Sequence, residues 1–530
     1  MKKSIVFFSM LIAFSMWQST SAAQTYFVKT DGNDMNDGSS WAMAFQTVQK
    51  ALEEACMNSP ADIWVAAGTY FPDQGLSQTP GDRESTFSIC AEVSLYGGFE
   101  GTESMLEERN WVLNVTVLSG DLNEDDTYPM VLVTSNPNFT DNAYHVITIS
   151  GMDNNGVVDG FTIRGGWANG DGMSNQDIGG GILMREMSSP GVYNCNISFN
   201  FAMAGGGIFN LISFPTIRDC VFERNAANGS GGAIVYGNTG GAEMPLVISN
   251  TRFFSNRAEN GGGAYYSTSS ETQFINCEFR SNFTNGSGGA IEHNTGGSSD
   301  FINCTFSGNH AGSGGGAIVN IAAINVSIIN CTFSTNAAPS GLGGAIFGPA
   351  TNFIIQNSII WNNYASGVNN TLSASISISE FDDGPIISHS IIANSKGSGA
   401  NWEDGLGIDG GGNLDTNPLF VGPADFSTPH SEGDWRLTCL SPAIDRGNNA
   451  FVPAGIDTDL DGNERIFNEF RVDIGAFEFQ GSSCITIPTL STWMTIILTL
   501  IMIIAAILTL RYSMIKKVHL VKEKIKTPKN

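Results

Sequence analysis

No lysine occurs between Lys50 and Lys396, and the 530-residue chain holds only 6 histidines. Its formal net charge is −26 at pH 7. Setting aside two lysines near the N-terminus and the basic C-terminal tail leaves about −34 on the remainder. Such a surface repels nucleic acid, and polyuronates too unless cations intervene. It favours solubility, cation binding or neutral partners. Apolar residues three and four apart are missing from the long middle of the chain, which excludes a helical array.

What fills that middle is a repeat. The copies read Cys195-Asn-Ile-Ser-Phe-Asn200, Cys220-Val-Phe-Glu-Arg-Asn225, Thr251-Arg-Phe-Phe-Ser-Asn256, Cys277-Glu-Phe-Arg-Ser-Asn282, Cys304-Thr-Phe-Ser-Gly-Asn309, Cys331-Thr-Phe-Ser-Thr-Asn336 and Asn357-Ser-Ile-Ile-Trp-Asn362. Their starts lie 25, 31, 26, 27, 27 and 26 residues apart. A period in this range is the mark of a solenoid. A second beat follows six of them, as in Gly231-Gly232-Ala233-Ile234 and Gly288-Gly289-Ala290-Ile291, and Gly179-Gly180-Gly181-Ile182 opens the series.

Within each copy the Cys and Phe columns alternate with a mostly polar column (Asn196, Val221, Arg252, Glu278, Thr305, Thr332). Period two means strand, with Cys and Phe turned inward. The closing Asn forms one ladder, and Asn194, Asp219, Asn250, Asn276, Asn303, Asn330 and Gln356 form a second. Asn tolerates turn conformations and can bond its own column at the strand spacing of ~4.8 Å. Three short strands and three corners per coil are expected, the glycines supplying tight corners. The expected fold class is all-β: a single-stranded parallel β-helix with a C-terminal transmembrane helix. Cys277, Cys304 and Cys331 are expected as a reduced, packed thiol column. No His or acidic residue occupies a neighbouring inward column, which argues against a metal there.

Residues 1–23 have a secretory signal pattern: Lys2-Lys3, an apolar run and Ser21-Ala22-Ala23. The remaining divisions are a cap and first coils over 24–150, regular repeats over 151–400, a closing segment over 401–480 and a linker over 481–492. Cys56–Cys90 and Cys439–Cys484 are candidate disulfides in an exported chain. Trp493 to Leu510 carries no charge and has the length of a membrane span. The basic tail over 511–530 stays cytoplasmic by the positive-inside rule.

The Cys-x-Phe-x-x-Asn and Gly-Gly-Ala-Ile columns resemble the repeats of polymorphic outer-membrane proteins and, more broadly, the right-handed β-helix proteins of the pectin-lyase-like superfamily, which implies a right-handed parallel β-helix. Gly160-Phe-Thr-Ile-Arg-Gly-Gly166 resembles an entry coil, and Ser390-Ile-Ile-Ala-Asn394 an exit coil. Asp31-Gly-Asn-Asp, Gly38-Ser-Ser-Trp41 and Ile63 to Tyr70 are similar to the opening of bacterial surface β-helix proteins, which implies a capping helix over Thr47 to Ala55. Ser441-Pro-Ala-Ile-Asp-Arg-Gly447 and Val472-Asp-Ile-Gly-Ala-Phe-Glu478 resemble their closing segments. Ile487, Pro488, Thr489, Leu490 and Trp493 resemble an IPTL-CTERM sorting signal, with Met494 where that family usually has Gly. The resemblance implies an exosortase-type sorting enzyme as partner and a destination at the cell surface.

The superfamily includes lyases and hydrolases, so catalytic residues must be sought. Lyases need carboxylates for Ca²⁺ and a Lys or Arg base on one face. Lys396 lies beyond the regular repeats, and Arg218, Arg224, Arg252 and Arg280 are expected not to converge with an acidic ladder. Asp382, Asp383 and His389 are the weak catalytic candidates; a solvated acidic loop is the plainer reading. Glu292-His293 reads as an exposed corner. Asp457, Asp459 and Asp461, followed by Gly462, have the opening spacing of a Ca²⁺ loop, but Asn468 stands where a bidentate Glu belongs. The same residues fit an Asp-Gly turn. No cofactor is implied beyond that possible calcium. Three functions remain: a non-enzymatic adhesin or glycan- or protein-binding rod, a polysaccharide lyase or glycoside hydrolase, and a passive spacer. Tyr236, Tyr265, Tyr266 and Trp361 are scattered aromatics for sugar contact or core filling.

Overall fold

The coil path follows from the two asparagine columns. The structure, a computed structural model, describes residues 23–127, 137–151, 154–237, 245–268, 271–321, 323–348, 350–369, 371–378, 384–424, 433–481 and 492–525. One coil runs through strands Gly191–Tyr193, Asn196–Ser198, Phe201–Ala202 and Ile208–Leu211. Each strand pairs in parallel with its counterpart in the next coil, building sheets of 13, 11, 9 and 10 strands. There are therefore four strands per coil where three were expected. The extra one spans only two residues after the closing Asn, too short to show alternation.

Between the 13- and 11-stranded sheets the chain turns at Asn194, Asp219, Asn250, Asn276, Asn303, Asn330 and Asn357, all at φ between 48° and 58°. This left-handed region suits Asn and Asp. The seventh copy consequently begins one residue later than its letters suggest. Ser358 takes the Cys position, Ile360 pairs with Phe333, and Asn363 closes the repeat.

Inside, the rings of Phe222, Phe253, Phe279, Phe306 and Phe333 stack at centroid separations of 4.5–5.0 Å, tilted by no more than 8°. Cys195, Cys220, Cys277, Cys304 and Cys331 are free thiols and buried. They donate to backbone carbonyls, as Cys277 Sγ does to Ile248 O and Ile275 O at 3.4 Å. Burial pushes Cys277 and Cys331 well up, away from thiolate character. The Asn200 to Asn363 ladder is buried throughout: each Nδ2 from Asn200 to Asn336 donates to the next coil's Oδ1, as in Asn256 to Asn282 (3.0 Å). At the opposite corner Gly289 admits no side chain, since a Cβ would lie 2.0 Å from Gly316 O.

Helix Val48–Met57 caps the first coils, burying Val48, Ala51, Leu52 and Ala55. Thr47 Oγ1 accepts from Lys50 N, and Asp34 holds Thr47 through both its backbone and its hydroxyl. The Cys56–Cys90 disulfide ties the helix to the solenoid. Cys439 is also disulfide-bonded; its expected partner, Cys484, lies outside the described residues.

The closing segment docks on the last coils' outer face. Ala476 N donates to Thr332 Oγ1, Gly475 N to Asn357 O, and Asn303 Nδ2 to Thr458 O. Ile359 and Ile391 of the last coils and Phe420, Trp435, Leu437 and Ile474 of the closing segment form a shared small core. Beneath it Arg465 is 0 % exposed and donates to Asp473 O and Gly475 O, with Glu478 at 3.7 Å.

Separately, residues 480–530 form a second unit. Its helix Thr492–Ile525 outruns the expected 493–510, because nothing before Pro528 interrupts good helix formers. The stretch Thr499–Val518 is long and apolar enough to cross a membrane.

Candidate functional site: a polar cleft under the closing segment

The outward rows of the 11-stranded sheet supply the floor of a cleft. Arg252 and Glu278 occupy paired positions on adjacent coils, and Arg280 lies two residues beyond Glu278 on the same face. The far wall is Asp434–Arg436 together with Thr458–Gly462 and Phe477. The cleft encloses about 780 Å³, and among the described residues its lining holds neither Lys nor His. Arg252 and Arg280 were expected not to converge with an acidic ladder; the closing segment places Asp434, Asp459 and Asp461 across the same cleft, while the carboxylate beside Arg280 is Glu278 of its own strand. Nothing in the repeat letters signalled this wall.

The charges in the cleft are mostly engaged. Arg436 donates to both oxygens of Asp461 (2.5 and 2.7 Å) and to Asp434 Oδ1 (3.1 Å), and lies over the Phe477 ring. Arg280 stands 4.0 Å from Glu278. Asp219 pairs with Arg218 and accepts from Asn250 Nδ2. Burial pushes the Glu278 carboxyl up, while Arg280, Arg252 and Arg436 pull it back. Arg252 is exposed and, among the described residues, pairs with no carboxylate; it leans on the Phe254 ring at 5.7 Å.

The Ca²⁺-like residues are placed by the same wall. Asp459 Oδ1 accepts from the backbone of Asp461 (2.9 Å) and Asn463 (2.8 Å), and Oδ2 from Glu478 N (2.8 Å). Asp461 is held by Arg436, and Asp457 is exposed. The three carboxylates do not converge, and the loop is an Asp-Gly turn. Among the described residues the carboxylates that do converge are Asp121, Asp125 and Asp141, with oxygens within 4.8 Å of one another. Asp121 there accepts from the backbone of Asp125 and Asp126, and Asp141 from Asn123 N.

Of the catalytic candidates, Asp382 and Asp383 lie outside the described residues, as do Ile487, Pro488, Thr489 and Leu490; Trp493 sits in the first turn of the C-terminal helix. His389 packs edge-on against Phe451, and burial lowers its proton affinity. The exposed-corner reading of Glu292-His293 is overturned. They lie in strand Ile291–Thr295 at 5 % and 2 % exposure. Alternation turns His293 inward, where Ser267 and Ser299 bond its two ring nitrogens at 2.6 and 2.8 Å. Glu292 bonds Ser287 Oγ (2.7 Å). Tyr236 and Tyr265 are core residues; Tyr266 and Trp361 are half-buried.

Stacked parallel coils with inward Phe, Cys and Asn rows define the class: the chain is a right-handed parallel β-helix protein. The family described as right handed beta helix region matches residues 122–279, and the Chlamydia polymorphic membrane protein repeat matches residues 303–321. No curated protein matches the chain. Among solved structures it is similar to pectate lyase Pel9A, at 15 % identity and a TM-score of 0.48 over 86 % of this chain and 97 % of that one. A rhamnogalacturonan lyase is similar at 14 % identity and a TM-score of 0.28, covering 71 % and 89 %. The pectin methylesterase from Aspergillus niger is similar at 14 % identity and a TM-score of 0.25, covering 78 % and 97 %.

Proposed function

We propose that this chain is an exported, surface-displayed β-helix rod that binds a glycan or protein ligand without turning it over. The observation that carries the reading is the state of the cleft: Asp434, Asp459 and Asp461 are committed to Arg436 or to backbone N–H groups, and among the described residues no Lys or His lines it. Hydrolysis needs two available carboxyl groups in defined roles, and β-elimination needs a base beside a cation site. What the cleft offers instead is a dense set of oriented donors and acceptors, which suits recognition. The repeat shared with polymorphic membrane proteins and the apolar C-terminal helix support display at a surface. In this reading residues 487–493 serve an exosortase-type enzyme, which processes the anchored precursor.

A polysaccharide lyase or glycoside hydrolase is the second reading. It is favoured by Glu278, whose raised carboxyl faces the cleft as a general acid would. Both are tested together, by measuring binding of the purified chain to arrayed glycans and matrix proteins alongside release of reducing or unsaturated sugar. Saturable binding with no turnover is expected. Turnover that Glu278→Gln abolishes would replace the binding reading with the enzymatic one.

A further inference from the structure

We propose that the cleft takes a neutral, hydroxyl-rich oligosaccharide, with Arg252 as donor and Glu278 as acceptor to neighbouring hydroxyls. This rests on the binding reading above and assigns it a ligand class and two contact residues.

Charge balance is the first reason. Arg436 is spent on Asp461 and Asp434, and Asp219 on Arg218. An anionic sugar would have to displace carboxylates from Arg436 or, placed on Arg252, would lie beside Glu278 and face Asp434, Asp459 and Asp461 across the cleft. A cation would meet three arginines around Glu278. A neutral ligand disturbs neither set, and desolvating paired charges without replacing their partners is costly.

Hydrogen-bond capacity is the second. Arg252 keeps its donors for solvent, and Glu278 stands one coil away in the same outward row, ~4.8 Å along the axis. A guanidinium can only donate and a carboxylate can only accept. Side by side, they match vicinal hydroxyls, each of which does both. Asn250 and Asn276 continue the polar rim in the same direction, joined by a 3.2 Å amide bond. Leu460 and Phe477 give the opposite wall apolar surface against which a sugar's C–H face can lie. The volume, about 780 Å³, is within the range of small-ligand sites.

The test is calorimetric titration of the full-length chain in detergent with cellohexaose, mannohexaose and xylohexaose, with hexagalacturonate and a chitosan hexamer as charged counterparts. At least one neutral probe should bind, and a tenfold rise in salt should leave that affinity unchanged. Arg252→Ala and Glu278→Gln should each weaken it about tenfold or more. Arg252→Lys, which keeps the charge but not the fork, should also weaken it, with the melting temperature of all three variants unchanged. Binding only of charged probes, with steep salt dependence, or failure of every neutral probe overturns the proposal. Neutral binding that survives all three variants refutes the cleft while leaving surface binding in place. Loss of binding to glycans and matrix proteins alike, in the folded wild type, would instead remove the broader reading.

Discussion

The sealed asparagine shows how one side chain sets a repeat. Asn282 Oδ1 accepts from Asn256 N and Nδ2, and its Nδ2 donates to Phe253 O and Asn309 Oδ1. Asn282→Ala therefore strands several buried groups at once, each worth about 1–3 kcal/mol. We expect a loss of at least about 3 kcal/mol in urea unfolding of the full chain. His293 tells a different story in the same core. Burial between Ser267 and Ser299 lowers its pKa from 6.5 to about 3. Between those values the unfolded chain binds the proton and the folded chain does not. Stability is then full above about pH 6.5 and falls as pH drops toward 3. His293→Gln should flatten that slope, and unchanged urea midpoints between wild type and variant at pH 4.5 would refute the assignment. Only one of these roles was open to motif reading. The ladder was legible because Asn recurs at every coil, whereas His293 occurs once, and its direction depends on where the strand begins.

Among elements, the closing segment contributes most beyond the repeats. Its Asp473 and Glu478 are pushed upward by burial, and Arg465 beneath them is the opposing charge. Removing one partner of a buried ionic group leaves the others uncompensated, at about 3–5 kcal/mol. Arg465→Met should accordingly strip hydrogen-exchange protection from residues 457–479 while the coils below stay protected. Equal loss of protection throughout would mean that the segment and the solenoid unfold as one unit. The capping helix was expected within two residues from the resemblance to other β-helix openings, and the structure supplies its basis in the Thr47 N-cap and the buried stripe of Val48, Ala51, Leu52 and Ala55. The wall of the cleft was not foreseeable. Arg436 and Asp461 lie far from Arg252 and Arg280 in sequence, and only docking makes them neighbours.

At the scale of the whole molecule, the solenoid is nearly one-dimensional, each coil touching chiefly the coils above and below it. Excising one complete coil should therefore be tolerated. Deleting residues 278–304 joins Cys277 to Thr305, which already pairs with Glu278's position. Asn276 then takes the place of Asn303, and Phe306 stacks on Phe253. A single cooperative melt with undiminished strand signal is expected by circular dichroism. Deleting residues 278–290 instead, half a coil, should abolish folding, since every inward column would then fall out of line.

Legible in the chain alone were the parallel β-helix, its inward Phe, Cys and Asn columns and the apolar C-terminal helix. Each of these is written in local periodicity or repeated register, and repetition amplifies weak local signals. Tertiary structure decided the fourth strand of each coil, the one-residue shift at Ser358, the burial of Glu292 and His293, and the cleft that joins Arg252 and Glu278 to Arg436. These depend on which face a short strand presents and on where a non-repeating segment comes to rest. Long-range packing energy sets both, and no spacing within the chain encodes them.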